Sequence, residues 1–144
     1  MRRQSASRAD DWPSLPPAAW EETRATLHMW TQIIGEIRLA LAPMTNHWWE
    51  VPLYVWSRGL TTSAIPYGAR TFQIDLDFIE HDLQISVDDG RREGFALRPR
   101  SVADFYTELM GRMRSLGLDV RIWTGALRDR ASDPLRGTPP TCRL

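Results

Sequence analysis

The chain of 144 residues contains no lysine. All 18 of its cationic side chains are arginine, and 18 acidic side chains balance them to a formal net charge of zero. A balanced chain has no global basic field, so neither nucleic acid nor an acidic membrane is expected as a partner held by bulk charge. Cysteine is nearly absent too. With Cys142 alone, no intrachain disulfide and no thiolate metal site can form, which fits a reducing cytoplasm. No apolar run approaches the roughly 18 residues that a membrane span needs. The first residues, MRRQSASRADDW, are basic with no apolar stretch behind them, so they are not read as a signal peptide. Also missing are a glycine-rich phosphate loop, an HExxH pair and a nucleophile elbow. No cofactor is implied. An arginine-only set of cations is what a GC-rich gene produces, and it is also the set suited to carboxylate and phosphate recognition. Codon bias accounts for the total, and leaves open which arginines bind something.

What is present suffices for one domain with a real core. Residues 1–11 are polar and charged, and are expected to be disordered. After Pro16 and Pro17 a helix is expected from about Ala18 to Ala42, stopped by Pro43. Trp20, Leu27, Trp30, Ile33, Ile34, Ile37 and Leu41 share one arc at 100° per residue, the core face. Along one edge of that arc runs a stripe of Arg24, His28, Thr31, Gly35 and Arg38. It reads as a polar border with a packing glycine, or as the wall of a pocket.

A loop carrying Asn46-His47-Trp48-Trp49 follows, and then the period changes to two. Residues 51–56, 60–65, 71–79, 83–87 and 95–97 read as strands, with Asp88-Asp89-Gly90 as a hairpin turn. Ser101 is a good N-cap for a helix over Val102–Leu116, and Gly117 a natural residue to end it. Residues 119–123 look like one more strand. The expected class is α+β: a long N-terminal helix packed on an antiparallel meander of about five strands, then a second helix and a sixth strand. The domain is expected over residues 12–124, with 125–144 as a disordered tail.

Candidate chemistry concentrates where helix and meander join. His47-Trp48-Trp49 reads either as an aromatic seal on the core or as an aromatic wall with polar handles. Adjacent tryptophans in extended chain cannot both point inward. Tyr54 and Trp56 continue the aromatic face from the next strand. The leading reading is a pocket for a small polar or anionic ligand, lined by His28, Arg38, Asn46, His47, Trp48 and Tyr54. Arg38 would pair with charge, Trp48 would stack, and Asn46 and His47 would donate hydrogen bonds. Two other readings stay open: an enzyme using His47 or His28 as general acid/base, and an interaction module using Trp48, Trp49 and an open sheet edge. A metal bound by His28 and His47 with Glu50 or Asp77 has little behind it, and no metal is expected. Arg98 and Arg100 precede a helix N-terminus, where an anion is favoured, yet read more simply as exposed. Asp75 and Asp77 share a strand face about 7 Å apart, and a two-carboxylate hydrolase would need them in a cleft.

The run LHMWTQIIGEIRLALAPMTNHWWEVPLYV, followed by LRPRSVADFYTELM and LDVRIW, resembles an uncharacterised bacterial family known as domain of unknown function 5996, over about residues 11–124. The resemblance implies a cytosolic bacterial protein with no assigned activity, cofactor or catalytic residue. It also implies members about twice this length, so that the chain corresponds to an N-terminal half. Truncation or frameshift near Gly125 is the expectation, with an exposed sheet edge left for self-association or for the missing half.

Overall fold

Two prolines and a strictly alternating segment set the framework. Pro17 opens a single 3-10 turn, Pro17–Ala19, and helix α1 follows over Glu21–Leu41. A computed structural model describes residues 14–122. Glu21 and Glu22 occupy the first turn of α1 and Arg38 the last, each at the end of the helix dipole that its charge complements. A second 3-10 turn spans Asn46–Trp48. The strands are β1 Tyr54–Trp56, β2 Gly59–Thr61, β3 Ile65–Tyr67, β4 Arg70–Asp77, β5 Asp82–Val87 and β6 Arg92–Ala96. Helix α2 covers Val102–Ser115. Ser101 caps it: its Oγ accepts from the Asp104 backbone N–H at 3.1 Å and donates to the Asp104 carboxylate at 2.7 Å.

All strand pairings are antiparallel. The order is β1-β2-β4-β5-β6, and β3 also pairs with β4. The segment expected as one strand over 60–65 is thus two short ones, which share the same edge of β4. The break falls at Thr62 and Ser63. Thr62 stays tied to β4, since its N–H donates to the Ile74 carbonyl and its Oγ1 accepts from the Ile74 N–H, both at 3.0 Å. Ser63 takes a left-handed φ of 55° and turns the chain.

Alternation along β4 and β5 sends Phe72, Ile74, Leu76, Leu83, Ile85 and Val87 to the inner face, where the helices lie. Helix α1 packs beside β3 and α2 beside β6. Trp30 of α1 stacks on Phe105 of α2 with ring centroids 4.7 Å apart, and Phe95 of β6 meets Phe105 edge-on at 5.6 Å. That aromatic triplet joins both helices to the sheet, an arrangement worth about 0.5–1.5 kcal/mol per ring pair beyond area burial. Gly35 fits the same logic: a Cβ there would come within 3.3 Å of Val51 Cγ1, so it lets the chain before β1 approach α1.

The α+β class is as expected, and besides the split of 60–65 the segment after α2 differs. Beyond α2, residues 118–122 form no strand. Leu118 and Val120 are buried, and Tyr67 Oη accepts from the Asp119 N–H at 3.0 Å, so packing and one side chain hold this segment in place of a ladder. The expectations for residues 1–11, Trp123 and 125–144 lie outside the described residues. Among the described residues, no helix is long and apolar enough to cross a membrane.

Candidate functional site

Arg38 is the hub of the corner where α1 meets the meander. Only 6% of it is exposed. Its Nε donates to the Glu50 carbonyl at 2.5 Å, and its Nη1 donates to the Thr62 carbonyl. Its guanidinium sits 5.3 Å from the centre of the Tyr54 ring. One side chain therefore ties α1 to the chain before β1, to β1 itself and to the β2–β3 break. Arginine suits this role because its planar fork places several donors at fixed angles. Glu50 is buried as well, and its Oε2 accepts from the Thr45 N–H at 3.0 Å, closing the loop between α1 and β1.

Within that closed loop the backbone does something unusual. His47 and Trp48 both adopt left-handed φ values, 59° and 62°. For residues with a Cβ this region costs on the order of 1–2 kcal/mol each, and two in succession are uncommon. The Val51 N–H donates to the Trp48 carbonyl at 3.1 Å and seals the turn. The consequence is directional: Trp48 is 62% exposed and Trp49 63%. Of the two expected alternatives, seal or wall, neither tryptophan acts as a core seal. Asn46 and His47 are exposed beside them.

The six residues expected to line one pocket do not form one cluster. Arg38 and Tyr54 are in contact, and Asn46, His47 and Trp48 share the adjoining turn. His28 stands ten residues back along α1, about 15 Å from Arg38 at the helical rise. It is exposed, with its Nε2 3.1 Å from the Gln32 amide nitrogen. Among the described residues no group of three or more His, Cys, Asp or Glu could hold a metal ion. No histidine there lies within ion-pair distance of a carboxylate.

Two of the remaining charged candidates, Asp77 and Arg100, serve the scaffold. Asp77 is buried, and its Oδ2 accepts from Arg58 Nε at 2.5 Å. Its Oδ1 accepts the N–H groups of Ile79 and Glu80 at 2.9 and 3.0 Å, organising the β4–β5 turn. The Arg58 hydrogen bond, opposed by burial and helped by those two N–H groups, holds the Asp77 carboxyl below the ordinary carboxylate range. Nothing in the sequence separation of Arg58 and Asp77 announced this pair; it follows from the β2–β4 register. Arg100 donates to Glu108 and to the Ala96 carbonyl, and lies over the Phe95 ring at 5.0 Å, so it braces α2 against β6.

A pH dependence follows from Asp77. A carboxyl whose folded-state pKa is depressed adds stability above its unfolded pKa, and that stability is lost as pH falls through the folded value. Asp77→Asn is expected to unfold at lower urea than the parent at pH 7. The gap should narrow as pH drops below about 4, where the unfolded carboxyl takes up its proton. Urea midpoints measured at a series of pH values check this, and a gap independent of pH would exclude it.

The layering defines an α+β protein whose conspicuous surface feature is an aromatic corner at the β1 edge, unpaired among the described residues. The chain matches the family of unknown function DUF5996 over residues 12–134, and it belongs to that family. Neither the curated proteins nor the solved structures provide a match.

Proposed function

We propose that the chain is a protein-interaction module, docking through the corner formed by Trp48, Trp49 and strand β1. The observation that carries this reading is the left-handed pair His47-Trp48, a costly backbone whose effect is to hold two tryptophans in solvent. The edges of the sheet agree with it. Strand β6, one edge, carries Arg92 and Glu93, charges of the kind that discourage edge pairing. Strand β1, the opposite edge, reads Tyr-Val-Trp with no charge, and Val55 is 86% exposed.

The occupant is a second copy of the chain. Two β1 edges can pair antiparallel about a two-fold axis, the commonest symmetry of soluble oligomers. A net charge of zero offers no repulsion between copies. The exposed parts of Met44, Trp48, Trp49, Tyr54, Val55 and Trp56 amount to on the order of 900 Å², comparable with the roughly 800 Å² that each partner gives to a stable interface. Sedimentation equilibrium at micromolar concentration is expected to show a dimer. Val55→Lys combined with Trp49→Ser should give a monomer with unchanged circular dichroism. A parent chain that stays monomeric up to about 1 mM, a standard-state loss of only about 4 kcal/mol, would exclude the reading.

A small polar or anionic ligand at Asn46, His47, Trp48 and Tyr54 is the second reading. The same strained turn supports it, because it presents an amide, an imidazole and two aromatic rings together. On this reading Arg38 orients Tyr54 and holds the turn, and His28 is too far along α1 to share the ligand with it. Protection of Trp48 fluorescence by a metabolite in the monomeric variant would favour it.

A further inference from the structure

The outer face of the sheet carries a separate feature. Cross-strand register sets Gln73 opposite Ser86 and Ser86 opposite Arg92, while Asp75 stands opposite Gln84 one row along. A depression of about 390 Å³ opens over these five side chains, and its wall is completed by Ala64, at the break between β2 and β3, by Thr71 and by Asp88, whose Oδ2 accepts from the Thr71 N–H and hydroxyl. The size lies in the range of small-molecule sites, and the lining is unusually polar for one.

The internal hydrogen bonds leave a definite inventory there. The Gln73 side-chain amide donates to both oxygens of Asp75, at 2.9 Å each. The Gln84 amide donates to Asp82 Oδ2 at 3.2 Å. Both amide carbonyl oxygens therefore remain as acceptors, and Asp75 keeps lone pairs beyond those two bonds. Ser86 can donate and accept. Arg92 has no carboxylate within ion-pair distance among the described residues, whereas its neighbour Arg91 is paired with Asp89 at 2.8 Å. Acceptors thus fill the middle of the depression, a hydroxyl lies beside them, and an uncommitted donor fork stands at one side.

We propose that this depression binds a small neutral polyol of mono- or disaccharide size. Neighbouring hydroxyls on a sugar ring each donate and accept, so one ligand can give hydrogen bonds to Asp75, Gln73 and Gln84 while accepting from Arg92 and Ser86. Other ligand classes meet a mismatch. An inorganic anion would suit Arg92 but face the Asp75 carboxylate and two carbonyl oxygens. A compact ammonium would suit Asp75 and Asp88 but leave Arg92 facing a like charge, and the neutral acceptors and Ser86 only partly used. An apolar ligand would bury the two free amide carbonyls, the Ser86 hydroxyl and the Arg92 guanidinium without partners, at about 1–3 kcal/mol each. The wide mouth fits weak association, because little of a bound ligand would be enclosed.

Titration of the isotopically labelled full chain by nuclear magnetic resonance tests this. The probes are D-glucose, sucrose and myo-inositol, with sodium phosphate and putrescine as controls. At least one polyol is expected to move the side-chain amide signals of Gln73 and Gln84 with a dissociation constant of about 1–10 mM. Arg92→Ala and Asp75→Asn should each weaken that binding about tenfold. Arg92 is exposed, so its variant keeps the test valid if Asp75→Asn folds poorly. Three results would overturn the proposal: no movement with any polyol up to about 100 mM, movement with phosphate or putrescine alone, or polyol binding that Arg92→Ala leaves unchanged.

Discussion

Replacing Arg38 with alanine is expected to cost about 2–4 kcal/mol of folding free energy. The guanidinium is buried and satisfies the Glu50 carbonyl, which no other side chain reaches among the described hydrogen bonds, and it shares the Thr62 carbonyl with the Ser63 hydroxyl. The stranded Glu50 carbonyl costs about 1–3 kcal/mol when buried, and loss of the Tyr54 ring contact adds up to about 1–2 kcal/mol. For a domain of modest total stability, on the order of 5–15 kcal/mol, that is a large share. Arg38→Lys should recover only part of the loss, because a point ammonium cannot reach two carbonyls in a fixed fork. Urea unfolding of the parent and both variants decides the matter. If Arg38→Ala unfolds within about 0.5 kcal/mol of the parent, Arg38 is not a structural hub, and its charge is free for a ligand.

Gly59→Ala is expected to be comparably damaging, by about 3 kcal/mol or more. Gly59 begins β2, directly opposite Asp77 of β4. A Cβ at this position would lie 2.0 Å from the Leu76 carbonyl oxygen, a backbone atom fixed in the β4 ladder. Neither strand can retreat cheaply. The adjacent Arg58 carbonyl accepts from the Phe78 N–H at 2.8 Å, and the Arg58 side chain holds Asp77. Relief would have to open the β2–β4 pairing, and with it the Arg58–Asp77 contact. Gly68→Ala is the control: nothing lies within 4 Å of its added Cβ, so only its left-handed φ of 62° is penalised, by about 1 kcal/mol. Thermal unfolding should rank Gly59→Ala well below Gly68→Ala, and the reverse order would contradict the steric account.

Much of this fold was legible in the residue order. The alternation over Phe72–Phe78 located β4, the Ser101–Asp104 spacing located the start of α2, and the 3.6-residue period of Trp30, Ile33, Ile34 and Ile37 located the buried face of α1. These are local signals, and the backbone obeys them locally. The break inside 60–65 was not legible, because Thr-Thr-Ser is compatible with continuous strand, and only the pairing of Thr62 with Ile74 shows where the ladder is interrupted. The expected strand after α2 failed for a related reason. The apolar Leu118, Val120 and Ile122 alternate as a strand would, yet burial of the first two needs no ladder partner.

The candidate site was legible as a region and not as a geometry. The aromatic and polar residues of 46–49 marked the corner, and the stripe along α1 ends at Arg38. What composition could not reveal was the direction of the side chains. With two successive left-handed residues in the turn, Trp48 and Trp49 are both exposed, where extended chain would alternate one inward and one outward. Residues as far apart as Arg38 and Thr62 likewise meet only through the sheet register.

Among the described tryptophans, Trp30 and the Trp48–Trp49 pair stand at opposite optical extremes. Trp30, stacked on Phe105 and 3% exposed, is sealed among apolar neighbours, whereas Trp48 and Trp49 stand in water on the strained turn. The buried indole should emit at shorter wavelength and resist a soluble quencher such as acrylamide; the turn pair should emit at longer wavelength and be quenched readily. Unfolding would then be followed on the blue side of one spectrum and occupation of the corner on the red, with no added label.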